Sequence, residues 1–146
     1  MADALRGVTR LFLDTAPIVY FVERHPQYTP VVDEIFNRID VGTLPAVTSP
    51  VTLSECLVVP FRLGQAKVQQ DFIDLVVTGQ GITFVSVDDG IARRAAELRA
   101  RYNLLLTDAF QVATALVVGC DALLTNDLAL QRVREIPILI VDQLEL

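Results

Sequence analysis

Five short apolar stretches, separated by longer segments with helical spacing, constrain the fold of this chain more than any other feature. The short stretches are rich in leucine or β-branched residues and are bounded by polar or turn residues, which is typical of buried strands. They lie at 11–13, 45–47, 82–87, 121–124 and 136–141. The segments between them predict helices at 28–40, 50–61, 64–78, 88–102 and 107–118. This alternation predicts an α/β fold of three layers, α/β/α, with a mainly parallel central sheet of about five strands.

Composition narrows the class of protein. The chain has 146 residues, of which 52% are hydrophobic, and this suffices for one core, so we expect a single domain over residues 1–146. Charged residues interrupt the N-terminal segment and no apolar run reaches the roughly 18 residues of a membrane span, so we expect a cytoplasmic protein without signal peptide or membrane anchor. A net charge of −6 with one lysine, Lys67, argues against a broad basic surface. Cys56 and Cys120 lack metal-type spacing and are assigned no chemistry.

An aspartate, Asp14, directly follows the first predicted strand, in the stretch LFLDTAPIVYF. In an open parallel sheet, ligands bind beyond the carboxyl ends of the strands, at the point where the strand order reverses. Asp14 stands at such a strand end. The alternative is that Asp14 begins or caps a helix whose first turn contains Pro17, with Thr15 as another candidate cap. Taken alone, Asp14 favours the capping interpretation.

Three further acidic residues change that interpretation. Glu55 has valines and a threonine as helical neighbours, so its carboxylate faces a nearly apolar surface and needs a cationic or hydrogen-bonding partner. Asp108 begins a helical segment of small residues, and Asp127 follows the strand-like stretch that ends at Thr125. Ordinary helix capping could explain Asp108 and Asp127 individually. Together with Asp14 and Glu55, however, they can converge on one edge of the sheet.

Such convergence requires a cation or bound protons. Two carboxylates about 4 Å apart repel by around 4 kcal/mol at an effective dielectric near 20. An all-oxygen site without a suitable histidine or cysteine favours Mg²⁺ or Mn²⁺ over zinc. Ions of this kind can orient a water for in-line attack on a phosphodiester and stabilise the leaving oxygen. Four arginines of the segment 88–102 could hold the flanking phosphates or form a solvated helix face: Arg93, Arg94, Arg99 and Arg101.

These residues resemble the PIN-domain ribonucleases, and particularly the VapC-type toxins of prokaryotic toxin–antitoxin pairs. The resemblance covers essentially the whole chain and is carried by LFLDTAPIVYF, TLSECL, LLLTDAFQVATAL and LLTNDLAL, in the family's order. It implies that four acids form the metal site: Asp14, Glu55, Asp108 and Asp127. It also implies that the hydroxyls of Thr15 and Thr125 lie at the metal or its waters. One departure affects the fourth acid, because many relatives carry a further Asp and Phe where this chain has Leu128-Ala129-Leu130.

The same resemblance implies strand order 3-2-1-4-5 and Mg²⁺- or Mn²⁺-dependent endonucleolytic cleavage of RNA. It further implies a homodimer and a cognate antitoxin that directs an arginine at the acids. On physical grounds, Asp14, Glu55 and Asp108 would hold the principal metal, and Asp127 would complete the site or orient the attacking water.

Two other functions compete with this interpretation, and one further residue, His25, is a candidate for catalysis. A non-catalytic PIN-like module that binds RNA or an antitoxin is the stronger alternative, because a fold can persist after activity is lost. A phosphoacceptor receiver domain would use Asp88 and Asp89 but needs a lysine near the last strand, whereas Lys67 lies in a helical segment. His25, the sole histidine, lies in a polar turn and is assigned to the surface rather than to catalysis.

Overall fold

The computed structural model describes residues 3–146, and there the chain alternates strands and helices as the sequence predicts. The strands are β1 (Leu11–Leu13), β2 (Ala46–Thr48), β3 (Ile82–Phe84), β4 (Ala122–Thr125) and β5 (Ile138–Ile140). The α-helices are α1 (Thr15–Val22), α2 (Thr29–Asp40), α3 (Pro50–Arg62), α4 (Ala66–Thr78), α5 (Asp89–Tyr102) and α6 (Leu106–Val117). Two short 3₁₀ helices, Leu128–Arg132 and Val141–Gln143, flank β5.

The five strands form one parallel sheet in the order β3-β2-β1-β4-β5. The predicted α/β fold with a parallel sheet and the strand order implied by the resemblance are both confirmed. The order reverses between β1 and β4, where Leu13 is in register with Leu124. The backbone N–H of Asp14 donates to the carbonyl of Leu124 at 3.0 Å, which extends this pairing by one residue. The sheet therefore places the carboxyl ends of β1 and β4 side by side.

Hydrophobic cores lie on both faces of the sheet. Leu11 and Leu13 of β1 pack into a core with α1 to α4, whereas Phe12 packs into a core with α5 and α6. This division follows from the two-residue period of a strand, since successive side chains point to opposite faces. All three residues of β1 are fully buried, as expected for a central strand covered on both sides.

The outer strands are shorter than predicted. The apolar run 82–87 forms a strand only at Ile82–Phe84, and the run 136–141 only at Ile138–Ile140. Each of these strands ends opposite the last residue of its one neighbour: Phe84 is in register with Thr48 of β2, and Ile140 with Thr125 of β4. The hydrophobic pattern of the sequence alone does not predict where these strands end.

The starts of α3 and α1 are held differently. Ser49 caps α3, because its hydroxyl accepts from the N–H groups of Val51 at 3.2 Å and Thr52 at 3.4 Å. Thr15 does not cap α1 and is instead its first helical residue, with Asp14 at the capping position. Within residues 3–146, no helix has both the length and the apolar character needed to cross a membrane.

Replacing the cap of α3 tests how strongly this helix start is held. We expect Ser49→Ala to lower the free energy of unfolding by about 1–2 kcal/mol, because two backbone N–H groups lose their acceptor. The hydroxyl also donates to Gln111 Oε1 at 2.8 Å, so a buried acceptor loses its donor as well. Urea denaturation measures the change. Ser54→Ala, at an exposed position of the same helix, should stay within about 0.5 kcal/mol of wild type, and an equal effect of both substitutions would contradict the assignment.

Candidate active site

A cavity of about 490 Å³ opens at the carboxyl edge of the sheet, and all four predicted acids line it. We call it the acidic cavity. Its lining consists of Asp14, Thr15, Ala16, Val19, Tyr20, Glu55, Asp108, Thr125, Asn126 and Asp127. The acids come from four separate elements, so the topology of the fold rather than proximity in sequence brings them together. The two predicted hydroxyl residues, Thr15 and Thr125, are also present.

Asp14 is buried, with 6% of its surface exposed, and each of its carboxylate oxygens accepts a hydrogen bond. Oδ2 accepts from the hydroxyl of Thr125 at 2.7 Å, and Oδ1 accepts from Nε2 of Gln111 at 3.3 Å. Although Asp14 precedes α1 at the capping position, its side chain makes no capping hydrogen bond. The capping interpretation of Asp14 is therefore wrong, and its carboxylate points into the acidic cavity.

Gln111 is a site residue that the sequence analysis missed. Its side chain is fully buried, and its Nε2 donates both to Asp14 and to Thr52 Oγ1, the latter at 2.6 Å. Its Oε1 accepts from the hydroxyl of Ser49. The amide thus links α6 to the start of α3 and to Asp14. One signal was available in the sequence, since Gln111 follows Asp108 by three residues and therefore shares a face of α6 with it.

Glu55 has the partner that its apolar helix face required, and that partner is a neutral hydroxyl. Thr15 Oγ1 donates to Glu55 Oε1 at 2.8 Å, which joins the start of α1 to the middle of α3. Burial raises the pKa of Glu55 and the charge of Asp14 adds to the rise, while the hydrogen bond from Thr15 opposes it. Thr15 therefore stabilises the ionised form of a carboxylate that its surroundings disfavour.

Asp108 lies in the first turn of α6 and is half-buried. Burial raises its pKa to about 6, and the charges of Asp14, Asp127 and Glu55 add to the rise, while Arg132 opposes it. A carboxyl group in this environment is close to half protonated in slightly acidic solution. Its raised pKa therefore reflects burial first and the neighbouring acids second.

Asp127 is exposed at the rim of the acidic cavity and does cap a helix. Its Oδ1 accepts from the N–H of Ala129 at 2.9 Å, at the start of the 3₁₀ helix Leu128–Arg132. Its backbone N–H donates to Thr125 Oγ1 at 3.1 Å. The capping role that the sequence allowed for Asp127 is therefore present, and it holds the residue at the cavity without burying the carboxylate.

The donor set of the cavity fits a hard divalent cation. All of its candidate ligands are carboxylate or hydroxyl oxygens, which suit Mg²⁺ or Mn²⁺. Burial raises the pKa values of Glu55 and Asp108, and the charges of neighbouring acids add to the rise, so a bound cation would favour the ionised form of both groups. Among residues 3–146, however, no three acidic, histidine or cysteine side chains are spaced as the ligands of one ion. Hydroxyls and an amide hold Asp14 and Glu55 instead.

Other residues considered from the sequence lie outside the acidic cavity. The four arginines of α5 make contacts elsewhere: Arg93 with Asp89, Arg94 and Arg101 with Glu135, and Arg99 with the carbonyl of Leu104. Their suggested role in holding phosphates is not supported by this placement.

Asp88 caps α5 and Lys67 pairs with Asp71 on α4, so the receiver-domain alternative loses its key residues. Burial raises the pKa of both Cys56 and Cys120 to about 12, consistent with unreactive thiols.

Comparison with known proteins identifies the fold. A profile of the PIN domain family matches residues 11–136. No curated protein matches the sequence. The matched range includes all four acids of the cavity.

Several solved structures of toxin–antitoxin proteins are similar in fold. VapBC2 from Rickettsia felis, bound to a DNA fragment from its promoter, gives a TM-score of 0.69 at 15% identity, over 88% of this chain and 96% of that one. VapBC-1 from nontypeable Haemophilus influenzae gives 0.69 at 14% identity, over 92% and 99%. VapC20 from Mycobacterium tuberculosis, a Sarcin-Ricin loop cleaving toxin, gives 0.64 at 14% identity, over 77% and 86%. At these identities the similarity establishes the fold.

The raised pKa of Asp108 predicts how the stability of the metal-free protein depends on pH. An acid whose pKa rises on folding binds its proton more tightly in the folded state. Its contribution to stability is therefore complete below the unfolded pKa of 3.8 and is lost as the pH rises through about 6. In EDTA at about pH 8, we expect Asp108→Asn to be more stable than wild type by about 1 kcal/mol, after allowance for solvent screening, or about 2–4 °C in Tm.

Thermal denaturation near pH 4 provides the comparison, because wild-type Asp108 is then protonated and the advantage of Asp108→Asn should shrink. Asp74→Asn is a matched control, since Asp74 is exposed on α4 and should change stability by less than about 0.5 kcal/mol at either pH. A gain for Asp108→Asn that is the same at both pH values would contradict the proposed origin of the shift.

Proposed function

The chain belongs to the PIN-domain family, and we propose that it is a metal-dependent endoribonuclease of the VapC toxin type, built as a single domain over residues 1–146. The observation that carries this proposal is the convergence of Asp14, Glu55, Asp108 and Asp127 on one cavity at the carboxyl edge of the sheet. That edge is where parallel α/β folds bind their ligands. The proposed reaction is hydrolysis of an RNA phosphodiester bond.

Within this proposal, Asp14, Glu55 and Asp108 hold Mg²⁺ or Mn²⁺, with the hydroxyls of Thr15 and Thr125 close by. When bound, such an ion supplies charge neutralisation at the phosphate and lowers the pKa of water. Thr125 and Gln111 fix the orientation of Asp14 before any ligand arrives. Asp127, which is exposed at the rim, would complete the site or orient the attacking water.

The protonation of Asp108 sets a condition on cation binding. A cation competes with the proton that this carboxyl group holds below about pH 6, so affinity for the cation should rise as the pH increases through that value. Without a metal, the cavity holds several acids because protonation of Asp108 below about pH 6 lowers its negative charge. Hydrogen bonds from Thr15 and Thr125 stabilise the carboxylates of Glu55 and Asp14.

We also propose that a cognate antitoxin is the natural inhibitor. Structures similar in fold include VapBC complexes, and a toxin–antitoxin complex from Klebsiella pneumoniae matches at a TM-score of 0.61. Charge complementarity favours an arginine as the residue that enters the acidic cavity. A guanidinium can form two parallel hydrogen bonds with a carboxylate and remains charged at every physiological pH.

A homodimer is the second proposed assembly, and apolar residues at the C-terminal end of α3 support it. Val58 and Val59 are each 48% exposed, Phe61 is 60% exposed and Leu63 is 62% exposed. Four large apolar side chains in six consecutive positions form a surface that water solvates poorly, and such surfaces commonly mark protein contacts.

A non-catalytic PIN-like module that binds RNA or an antitoxin is the competing function. One observation favours it. Within residues 3–146, no three histidine, cysteine, aspartate or glutamate side chains are spaced as ligands of a single ion. Cleavage assays separate the two functions.

The decisive substitution for the nuclease proposal is Asp14→Asn. We expect purified, antitoxin-free wild-type protein to cut a mixed RNA pool in Mg²⁺ or Mn²⁺ and not in EDTA. Asp14→Asn should cut none of it under any condition, because a neutral amide is a far poorer ligand for a hard cation than a carboxylate. The variant should remain folded, since asparagine has the same shape and can still accept a hydrogen bond from Thr125 or Gln111.

Thermal denaturation adds a readout that is independent of turnover. Mn²⁺ at about 100 times its Kd should stabilise wild type by about 2.7 kcal/mol and leave Asp14→Asn unchanged. The control is Asp74→Asn, which should cut RNA and respond to Mn²⁺ as wild type does. If folded wild-type protein cuts no RNA with any metal, the nuclease proposal is wrong and the non-catalytic binding module takes its place.

The proposed homodimer can be tested on α3. We expect Phe61→Ser to convert a dimer to a monomer in size-exclusion chromatography with light scattering, because a hydroxyl replaces the largest apolar side chain of the surface. Val41→Ser, at a residue that is 63% exposed in the turn after α2, should leave the assembly unchanged. A wild-type protein that is monomeric at all concentrations would exclude the homodimer.

A further inference from the structure

Three aromatic rings pack against one another beside the acidic cavity. Tyr20 lies on α1, His25 in the turn that follows and Tyr28 at the start of α2. Ring centroids are 4.7 Å apart for the two tyrosines, and His25 lies 4.8 Å from each of them. The ring planes of Tyr20 and Tyr28 are inclined by 30°, and those of His25 and Tyr28 by 26°. All three residues are partly exposed, and we call them the aromatic cluster.

The aromatic cluster is continuous with the acidic cavity through Tyr20. Thr15, Ala16, Val19 and Tyr20 all line the cavity, since positions i, i+1, i+4 and i+5 share one face of a helix. The first of these residues contacts Glu55, and the last belongs to the aromatic cluster. One face of α1 therefore leads from the proposed metal ligands to the rings.

Hydrogen bonds fix the rings relative to the end of β4. Asn126, between Thr125 and Asp127, donates from Nδ2 to the hydroxyl oxygen of Tyr20 at 2.9 Å. Its Oδ1 accepts from the backbone N–H of Asp142 at 3.0 Å, and the hydroxyl of Tyr28 donates to Asp142 Oδ1 at 2.9 Å. Asn126, whose two sequence neighbours also line the acidic cavity, thus holds Tyr20 directly and Tyr28 through Asp142.

His25 is held within its turn rather than free on the surface. Its Nδ1 accepts from the backbone N–H of Gln27 at 3.1 Å and from that of Tyr28 at 3.4 Å. These two hydrogen bonds hold the imidazole plane against the Tyr28 ring. Because His25 does not line the acidic cavity, this arrangement gives it a role as a flat surface and not as a general base.

We propose that the aromatic cluster is a stacking subsite for an unpaired nucleobase of the RNA, adjacent to the phosphate bound at the acidic cavity. The inference rests on the ribonuclease function proposed above and adds the way in which the substrate is held. Proteins bind unpaired bases by stacking them on tyrosine, histidine and similar planar side chains, in a way that tolerates any base.

The charge of the chain favours such a subsite. A net charge of −6 limits the contribution that contacts between basic residues and phosphates make to affinity. The four arginines of α5 contact residues outside the cavity. Stacking on aromatic rings needs no positive charge, so the aromatic cluster can hold single-stranded RNA next to four carboxylates that repel its backbone.

The intrinsic fluorescence of the protein reports directly on this subsite. The chain has no tryptophan and three tyrosines, of which Tyr20 and Tyr28 belong to the aromatic cluster. The third, Tyr102, hydrogen-bonds to Glu135 beside α5 and can be replaced by phenylalanine to lower the background. The titration is carried out with short single-stranded RNA in EDTA, which keeps the RNA intact, and at about 0.15 M salt, which screens the cavity.

We expect saturating RNA to quench the tyrosine emission of the Tyr102→Phe protein. Tyr20→Ala should weaken RNA binding by about 10-fold, whereas Tyr20→Phe, which keeps the ring and loses the hydroxyl, should bind within about 2-fold of the parent. His25→Ala should also weaken binding, and it serves as the second variant because it removes a ring from a turn rather than from a packed helix. A duplex of the same sequence should quench little, because its bases are already stacked and paired.

Unchanged tyrosine emission at saturating RNA, or equal affinity of Tyr20→Ala and Tyr20→Phe, would overturn the subsite and leave the rings as packing alone. Failure of the subsite is distinguishable from failure of the nuclease. Cleavage in Mn²⁺ without quenching would remove only the subsite, whereas quenching without cleavage in any metal would support the subsite and remove only the nuclease.

Discussion

The buried carboxylate of Asp14 is the interaction on which the rest of the site depends. A carboxylate that is 6% exposed persists only if the protein supplies hydrogen-bond donors. Those donors come from Thr125 at the end of β4 and from Gln111 in the middle of α6, residues far from Asp14 in the chain. Satisfying one charge therefore fixes the relative positions of β1, β4 and α6, and through Ser49 it reaches the start of α3.

The other three acids differ from Asp14 in burial and in hydrogen bonding. Glu55 is half-buried and has one hydroxyl donor, whereas burial and neighbouring charges govern Asp108 and raise its pKa. Asp127 is exposed and caps a short helix. The cavity thus combines a carboxylate that hydrogen bonds hold in place with two, Glu55 and Asp108, whose pKa values are raised, and the proposed cation would replace the proton that Asp108 binds.

The surfaces beside the acidic cavity are aromatic or apolar rather than acidic. On one side, α1 leads to the aromatic cluster, whose rings offer contacts that do not depend on charge. Elsewhere, the exposed end of α3 presents apolar side chains. The proposed action on RNA needs contacts that do not depend on charge, because the net charge of the chain opposes the approach of a polyanion.

The sequence by itself determined the alternation of strands and helices, the parallel sheet and the four acids at its edge, because each leaves a local signal. Leu11 to Leu13 read as a buried strand, and Asp14 stands out as the polar residue that ends it. The strand order came from the family resemblance and was confirmed by the structure. Only the tertiary structure decided that Thr15 bonds Glu55 instead of capping α1, that Gln111 supports Asp14 and that Tyr20, His25 and Tyr28 adjoin the acidic cavity. The partner of a side chain such as Gln111 is distant in the chain, and a polar or aromatic residue has the same local signal whether it meets solvent, core or site. The packing of helices on both faces of the sheet determines which of these surroundings a side chain meets, and no single segment of the sequence predicts that packing.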